Sequence, residues 1–142
     1  MLRCLDLSRA ELSVSVTDDQ EIRELNRVFR HRDRATDVLA FAMREGEALA
    51  AEPERTVEVL GDVVISVETA RRQASQRRRP LDAEMLMLLA HGLLHLVGYD
   101  HQTKREEKVM TEQTERLCRA ATMRRTDAGR VPATAKRLTK RK

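Results

Sequence analysis

Asp82-Ala83-Glu84-Met85-Leu86-Met87-Leu88-Leu89-Ala90-His91-Gly92-Leu93-Leu94-His95-Leu96-Val97-Gly98-Tyr99-Asp100-His101 organises the rest of the chain. From Met85 to Val97 the run is apolar on nearly every side, which marks a helix passing through the middle of a fold. Asp82 is placed to cap its start. The run is too short, and carries too much histidine, to span a bilayer. Gly98 closes it, because glycine tolerates the left-handed conformation that ends a helix and folds the chain back. Three of the four histidines in the chain fall here. His91 and His95 are one turn apart and share a face, and the reversal at Gly98 brings His101 beside them. Three neutral imidazoles with a fourth position open to water make a catalytic zinc site, whereas structural zinc sites close with four ligands, often cysteine. The expectation is one Zn²⁺ per chain, held by His91, His95 and His101. The competing reading, two ordinary core histidines on an apolar helix, leaves the third histidine unexplained.

The spacing His-x-x-x-His-x-x-Gly-x-x-His is also that of the metzincin peptidases, which carry a glutamate directly after the first histidine as general base. Gly92 stands there instead. A peptidase without that carboxylate would forgo proton transfer worth ~10²–10⁴ in rate. The metal spacing is kept and the peptidase chemistry is not.

Elements on either side of the long helix alternate in type. Leu12 to Thr17 alternates apolar and polar residues and reads as a strand. Thr17-Asp18-Asp19 offers an N-cap to a helix ending near Arg30, with Ile22, Leu25, Val28 and Phe29 at helical spacing. Thr36 to Met43 is a second strand and Arg44 to Arg55 a loop. Val57 to Ser66 is a third strand, interrupted at Gly61-Asp62. Val67 to Gln76 is a helix that stops before Pro80. Lys104 to Ala120 is the last helix, with Val109, Met110, Thr114, Leu117 and Cys118 facing inward. The strands follow no regular βαβ repeat. The fold class is α+β, a small mixed sheet packed with helices around the zinc-site helix.

Three blocks carry a resemblance. His91-Gly92-Leu93-Leu94-His95-Leu96-Val97-Gly98-Tyr99-Asp100-His101 resembles the signature of the YbeY family of bacterial endoribonucleases. The run from Glu24-Leu25-Asn26-Arg27-Val28-Phe29-Arg30 through Thr36-Asp37-Val38-Leu39-Ala40-Phe41, and the segment Leu60-Gly61-Asp62-Val63-Val64-Ile65-Ser66, are similar to two further motifs of that family. Departures are Phe29 for tyrosine, His31 for glycine, Ala35 and Ala42 for proline, and Ala40 for serine. The resemblance implies a single-strand-specific, metal-dependent endoribonuclease that matures the 3′ end of 16S ribosomal RNA and serves ribosome quality control. Its partners would be ribosomal RNA and the small ribosomal subunit. It implies Arg30 as a catalytic residue stabilising phosphate charge, beside His91, His95 and His101, with Arg30, Arg32 and Arg34 binding RNA. Asp62 and Asp100 are candidate partners for a histidine N–H or an attacking water, or else plain turn and cap residues. The family also implies a further strand and helix ahead of Leu12. Leu2-Arg3-Cys4-Leu5 resembles the end of that helix, so the chain reads as truncated, with one sheet edge uncovered.

Composition agrees with an RNA substrate and sets limits. Residues 1–120 read as one domain and residues 121–142 as a basic disordered tail. Residues 119–142 hold nine Lys/Arg against the single acid Asp127, leaving eighteen against twenty-two in residues 1–118. Such a segment cannot bury a core; it is either an arm for RNA, binding through counterion release, or a solubilising extension. A second basic cluster, Arg71, Arg72, Arg77, Arg78 and Arg79, adds to the rim. Aromatics are limited to Phe29, Phe41 and Tyr99, which argues against base-stacking modules and for contacts to phosphate and ribose. Cys4 and Cys118 lack any CxxC spacing and read as reduced thiols of a cytoplasmic protein. Neither a signal peptide nor a membrane span is expected, and the sequence sets no oligomeric state. Two alternatives stay open: a ribosome-assembly factor whose metal only braces an RNA groove, and a metal hydrolase for another substrate, such as a peptide.

Overall fold

The central strand of the sheet is central because both of its faces are apolar. In the computed structural model, which describes residues 1–43 and 58–128, a 3-10 turn (Leu2–Leu5) is followed by β1 (Ala10–Thr17), α1 (Asp19–Arg30), β2 (Val38–Ala42), β3 (Glu58–Ser66), α2 (Val67–Gln76), α3 (Leu81–Leu96) and α4 (Lys104–Ala128). The architecture is the α+β fold expected. Strand order is β1-β3-β2, with β3 parallel to β1 and antiparallel to β2. Val63 and Ile65 point to one side of β3 and pack with Leu88 of α3, while Val64 points to the other and packs with Leu39 and Ile22. Strands buried on both faces lose the polar alternation, as Val63-Val64-Ile65 does. Helix α3 contacts β2, β3, α2 and α4, so it does run through the middle.

Several boundaries differ from the sequence expectation. β3 is not interrupted at Gly61-Asp62. Glu11 faces Val59 and Leu12 faces Gly61, so Leu60 is one extra residue, a bulge whose side chain is buried in the core. Gly61 permits the close approach of β2: a Cβ there would lie 2.1 Å from the Phe41 carbonyl oxygen, and its φ is +136°. Asp82 is not the cap of α3. Pro80 takes that position with its φ of −61°, and Asp82 lies inside the first turn, its carboxylate accepting from the Ala83 N–H at 2.9 Å. β2 begins at Val38, whose N–H is accepted by the Asp37 side chain at 2.8 Å. α4 continues past Ala120 to Ala128, since no glycine or proline interrupts it. The caps of α1 and α2 are Asp18, accepting from Glu21 N–H at 2.8 Å, and Ser66, accepting from Thr69 N–H at 3.3 Å.

β1 is an edge strand, and Val14 and Val16 on it are 45% and 58% exposed beside Leu81, Met85 and Leu89 of α3. Cys4 and Cys118 are free thiols. Among the described residues no helix is long and apolar enough to cross a membrane. The loop expected at Arg44 to Arg55 and most of the basic tail lie outside the described residues.

Candidate metal centre

The three histidines are assembled by two local devices. Helix α3 supplies the first: His91 and His95, one turn apart, bring their Nε2 atoms to 3.1 Å. A helix-ending reversal supplies the second. The Gly98 N–H donates to the His95 carbonyl (3.1 Å) and the Tyr99 N–H to the Leu94 carbonyl (3.0 Å), with Gly98 at φ +100°. This is the Schellman pattern, and Tyr99 accompanies Leu94 in the core, completing its hydrophobic contact. The chain then returns toward the helix and presents His101. On the far side, Glu106 accepts the N–H groups of Gln102 and Thr103 while Thr103 accepts that of Glu106, a reciprocal cap that anchors the start of α4. His101 is thus held between two pinned ends.

One ligand atom from each of His91, His95 and His101 lies within 4.8 Å of the others, and the group contains no cysteine or carboxylate. Burial, and then repulsion from the neighbouring imidazoles, pushes the pKa values of His91 and His95 below the usual histidine value. Both shifts favour the neutral ring, the form that ligates metal. Among the described residues no fourth histidine, cysteine or carboxylate joins the group, a donor set that suits a single metal ion retaining one exchangeable position.

Arg30 ends α1, and its guanidinium is fixed by β2. It donates from Nη2 to the Ala40 carbonyl and lies over the Phe41 ring, 5.4 Å from the centroid. Buried Asn26 ties down the following loop, accepting from Arg32 N–H through its backbone carbonyl and donating from Nδ2 to the Arg34 carbonyl at 2.9 Å. As a result Arg30, Arg32 and Arg34 line the same cavity, of about 610 Å³, as His91, His95 and His101. Residues more than fifty positions apart in sequence meet at one place.

Other candidates are placed elsewhere. Asp62 lies on the face of β3 opposite Val63, exposed and away from the histidines, because side chains alternate along a strand. Asp100 accepts the backbone N–H of His101 at 2.8 Å, and its carboxylate is 3.9 Å from His101 Nδ1, too far for a hydrogen bond. It is a loop cap. In the second basic cluster, Arg72 pairs with Asp19 at 2.8 Å and Arg77 with Glu84 at 2.7 Å, so both have structural partners.

Asp37 is a residue whose position the sequence did not disclose. It lines the cavity beside His91, its carboxylate held by the Val38 N–H and by Gln73 Nε2 at 3.1 Å, and its charge draws the His91 pKa partly back up. Only the Thr36-Asp37-Val38 motif hinted at it. Gly92 acquires a reason as well. A Cβ there would meet Val63 Cγ1 at 2.8 Å, so a metzincin-type glutamate would have to part the helix from the sheet.

A model of the family described as endoribonuclease YbeY matches residues 3–122. The chain belongs to the YbeY family. Endoribonuclease YbeY of Myxococcus xanthus is 49% identical over 113 residues, 80% of this chain and 37% of that protein. Endoribonuclease YbeY of Aquifex aeolicus is 49% identical over 107 residues, 75% of this chain and 67% of that one. This chain therefore spans little more than a third of the first YbeY relative and about two thirds of the second. The solution structure of TM1509 from Thermotoga maritima superposes with a TM-score of 0.59 at 25% identity, covering 92% of this chain and 81% of that one.

Proposed function

We propose that this chain is a metal-dependent endoribonuclease that cuts single-stranded RNA, with the 3′ end of 16S ribosomal RNA on the small subunit as its substrate in the cytoplasm. The observation that carries the proposal is the shared cavity: three imidazoles able to hold one ion, walled by three arginines. His91, His95 and His101 would hold a Zn²⁺ ion, which would supply Lewis acidity and a water acidic enough to ionise near neutral pH.

The residues of the chain do the rest. Arg30 spends a donor on Ala40 and keeps most of its five N–H groups for a phosphate. Held by β2 before substrate arrives, it opposes charge that develops on the phosphorus oxygens. Arg32 and Arg34 are suited to the flanking phosphates, where planar guanidinium groups bind in bidentate fashion. Phe29 and Phe41 meet edge to face, with ring centroids 5.4 Å apart.

The test compares cleavage of single-stranded RNA by the metal-loaded chain with that by His95→Ala and Arg30→Ala. His95→Ala should abolish cleavage, and Arg30→Ala should lower kcat by ~10²–10³. Binding without cleavage in the wild type would favour the assembly-factor role. Cleavage that survives both changes comes from another protein.

A further inference from the structure

A second cavity, of about 500 Å³, meets the first at the metal centre, sharing Asp37, His91 and His101 with it. Buried Leu88 and Met110 give it an apolar floor. Arg77 and Arg79, from the turn between α2 and α3, line it, as do Glu107 and Glu115 of α4. A volume of this size is ordinary for a small-molecule site.

The arginines are held in an unusual way. Glu84 is fully buried, and its Oε2 atom accepts no hydrogen bond. Its ion-pair partners among the described residues are Arg77 at 2.7 Å and Arg79 at 3.7 Å, whose side chains remain 45% and 40% exposed. A buried carboxylate is costly and weak evidence for stability. Here it anchors two guanidinium groups at the cavity while leaving most of their donors unspent.

We infer that this cavity seats the nucleotide adjoining the scissile phosphate, an inference that rests on the endoribonuclease function proposed above. Arg77 and Arg79 take its phosphate, and the aliphatic and thioether floor takes the base, for which polarizable methionine is well suited. Glu107 and Glu115 carry acceptors only, so they favour bases that present an exocyclic amino group, cytosine or adenine, over uracil.

The test uses the metal-loaded full chain and fluorescent 2′-O-methyl phosphorothioate oligonucleotides, which resist cleavage. By anisotropy, oligocytidylate and oligoadenylate should bind ~5-fold tighter than oligouridylate, the ratio expected from one hydrogen bond. Glu107→Gln should narrow that preference, because an amide also donates. Thr111→Trp, made at an exposed α4 position lining the cavity, should weaken all three by ~10-fold. If wild type binds and Arg30→Ala weakens binding, but neither Glu107→Gln nor Thr111→Trp has an effect, this inference falls and the nuclease stands. Failure of wild type to bind any of them sinks both. Should Thr111→Trp misfold, cytidine monophosphate titrated into ¹³C-methyl-methionine wild type decides. Shifts at Met87 and Met110 support the seat, and their absence overturns it.

Discussion

Replacing Gly92 with alanine adds one methyl group at the point where α3 rests on the sheet. That carbon would lie 2.8 Å from Val63 Cγ1, 3.1 Å from Val63 Cγ2 and 3.3 Å from Val38 Cγ2. Carbon atoms in contact prefer ~3.5–4.0 Å, so the nearest gap must widen by roughly 0.7–1.2 Å. Val63 is fully buried and β-branched, with little rotamer freedom to yield. Overpacking of this kind costs ~1–3 kcal/mol, and exchanging glycine for alanine inside a helix returns ~1 kcal/mol. The net loss is about 1 kcal/mol, a few degrees in Tm. The effect on metal should be larger than that on stability. His91 and His95 move with α3, whereas His101 is tethered at the start of α4, and misplacement near 1 Å can cost ~10²-fold in a preorganised site. Thermal unfolding of the metal-free variant and a zinc competition titration separate the two effects. A variant with wild-type stability and wild-type zinc affinity would show that α3 is not seated on β3 through Gly92.

Three further outcomes follow from single contacts. His31 ends α1 in the left-handed region at φ +59°; His31→Gly should raise the unfolding free energy by ~0.5–1 kcal/mol in urea titrations, since glycine avoids the Cβ penalty there. Hydrogen bonds from the Ser66 and Thr69 hydroxyls, and then Arg72, hold the Asp19 pKa down to about 2 from 3.8. Its folded pKa lies below the unfolded one, so its contribution is complete above pH ~4 and disappears as pH falls toward ~2. With the side chain 26% exposed, that contribution is ~1–2 kcal/mol, and Asp19→Asn should remove it from the acid limb of a stability–pH curve. Zinc affinity should decline as pH falls through the histidine range, beginning lower for this site than for free imidazole because burial holds His91 and His95 below 6.5; competition titrations from pH ~8 to ~5 measure the onset.

Much of the metal centre was legible because its devices are local. The 3.6-residue repeat places His91 and His95 together, and glycine at 98 announces the reversal that returns His101. The α+β class followed from alternating patterns in the same way. What depends on long-range pairing was not legible. The Leu60 bulge sets which face Asp62 occupies, and it shows only in the register between β1 and β3. Arg72, Arg77 and Arg79 look like one undirected basic face in sequence, yet Asp19 pairs with Arg72 while Glu84 aims Arg77 and Arg79 in space. Asp37 belongs to the site through Gln73 of α2 and His91 of α3, partners distant in the chain.

Zinc K-edge X-ray absorption on the metal-loaded chain tests the metal centre most directly. Three imidazole nitrogens at ~2.0–2.1 Å with one exchangeable oxygen is the expected shell. A fourth protein nitrogen or sulfur, or a shell unaltered in His101→Ala, would contradict an open three-histidine site.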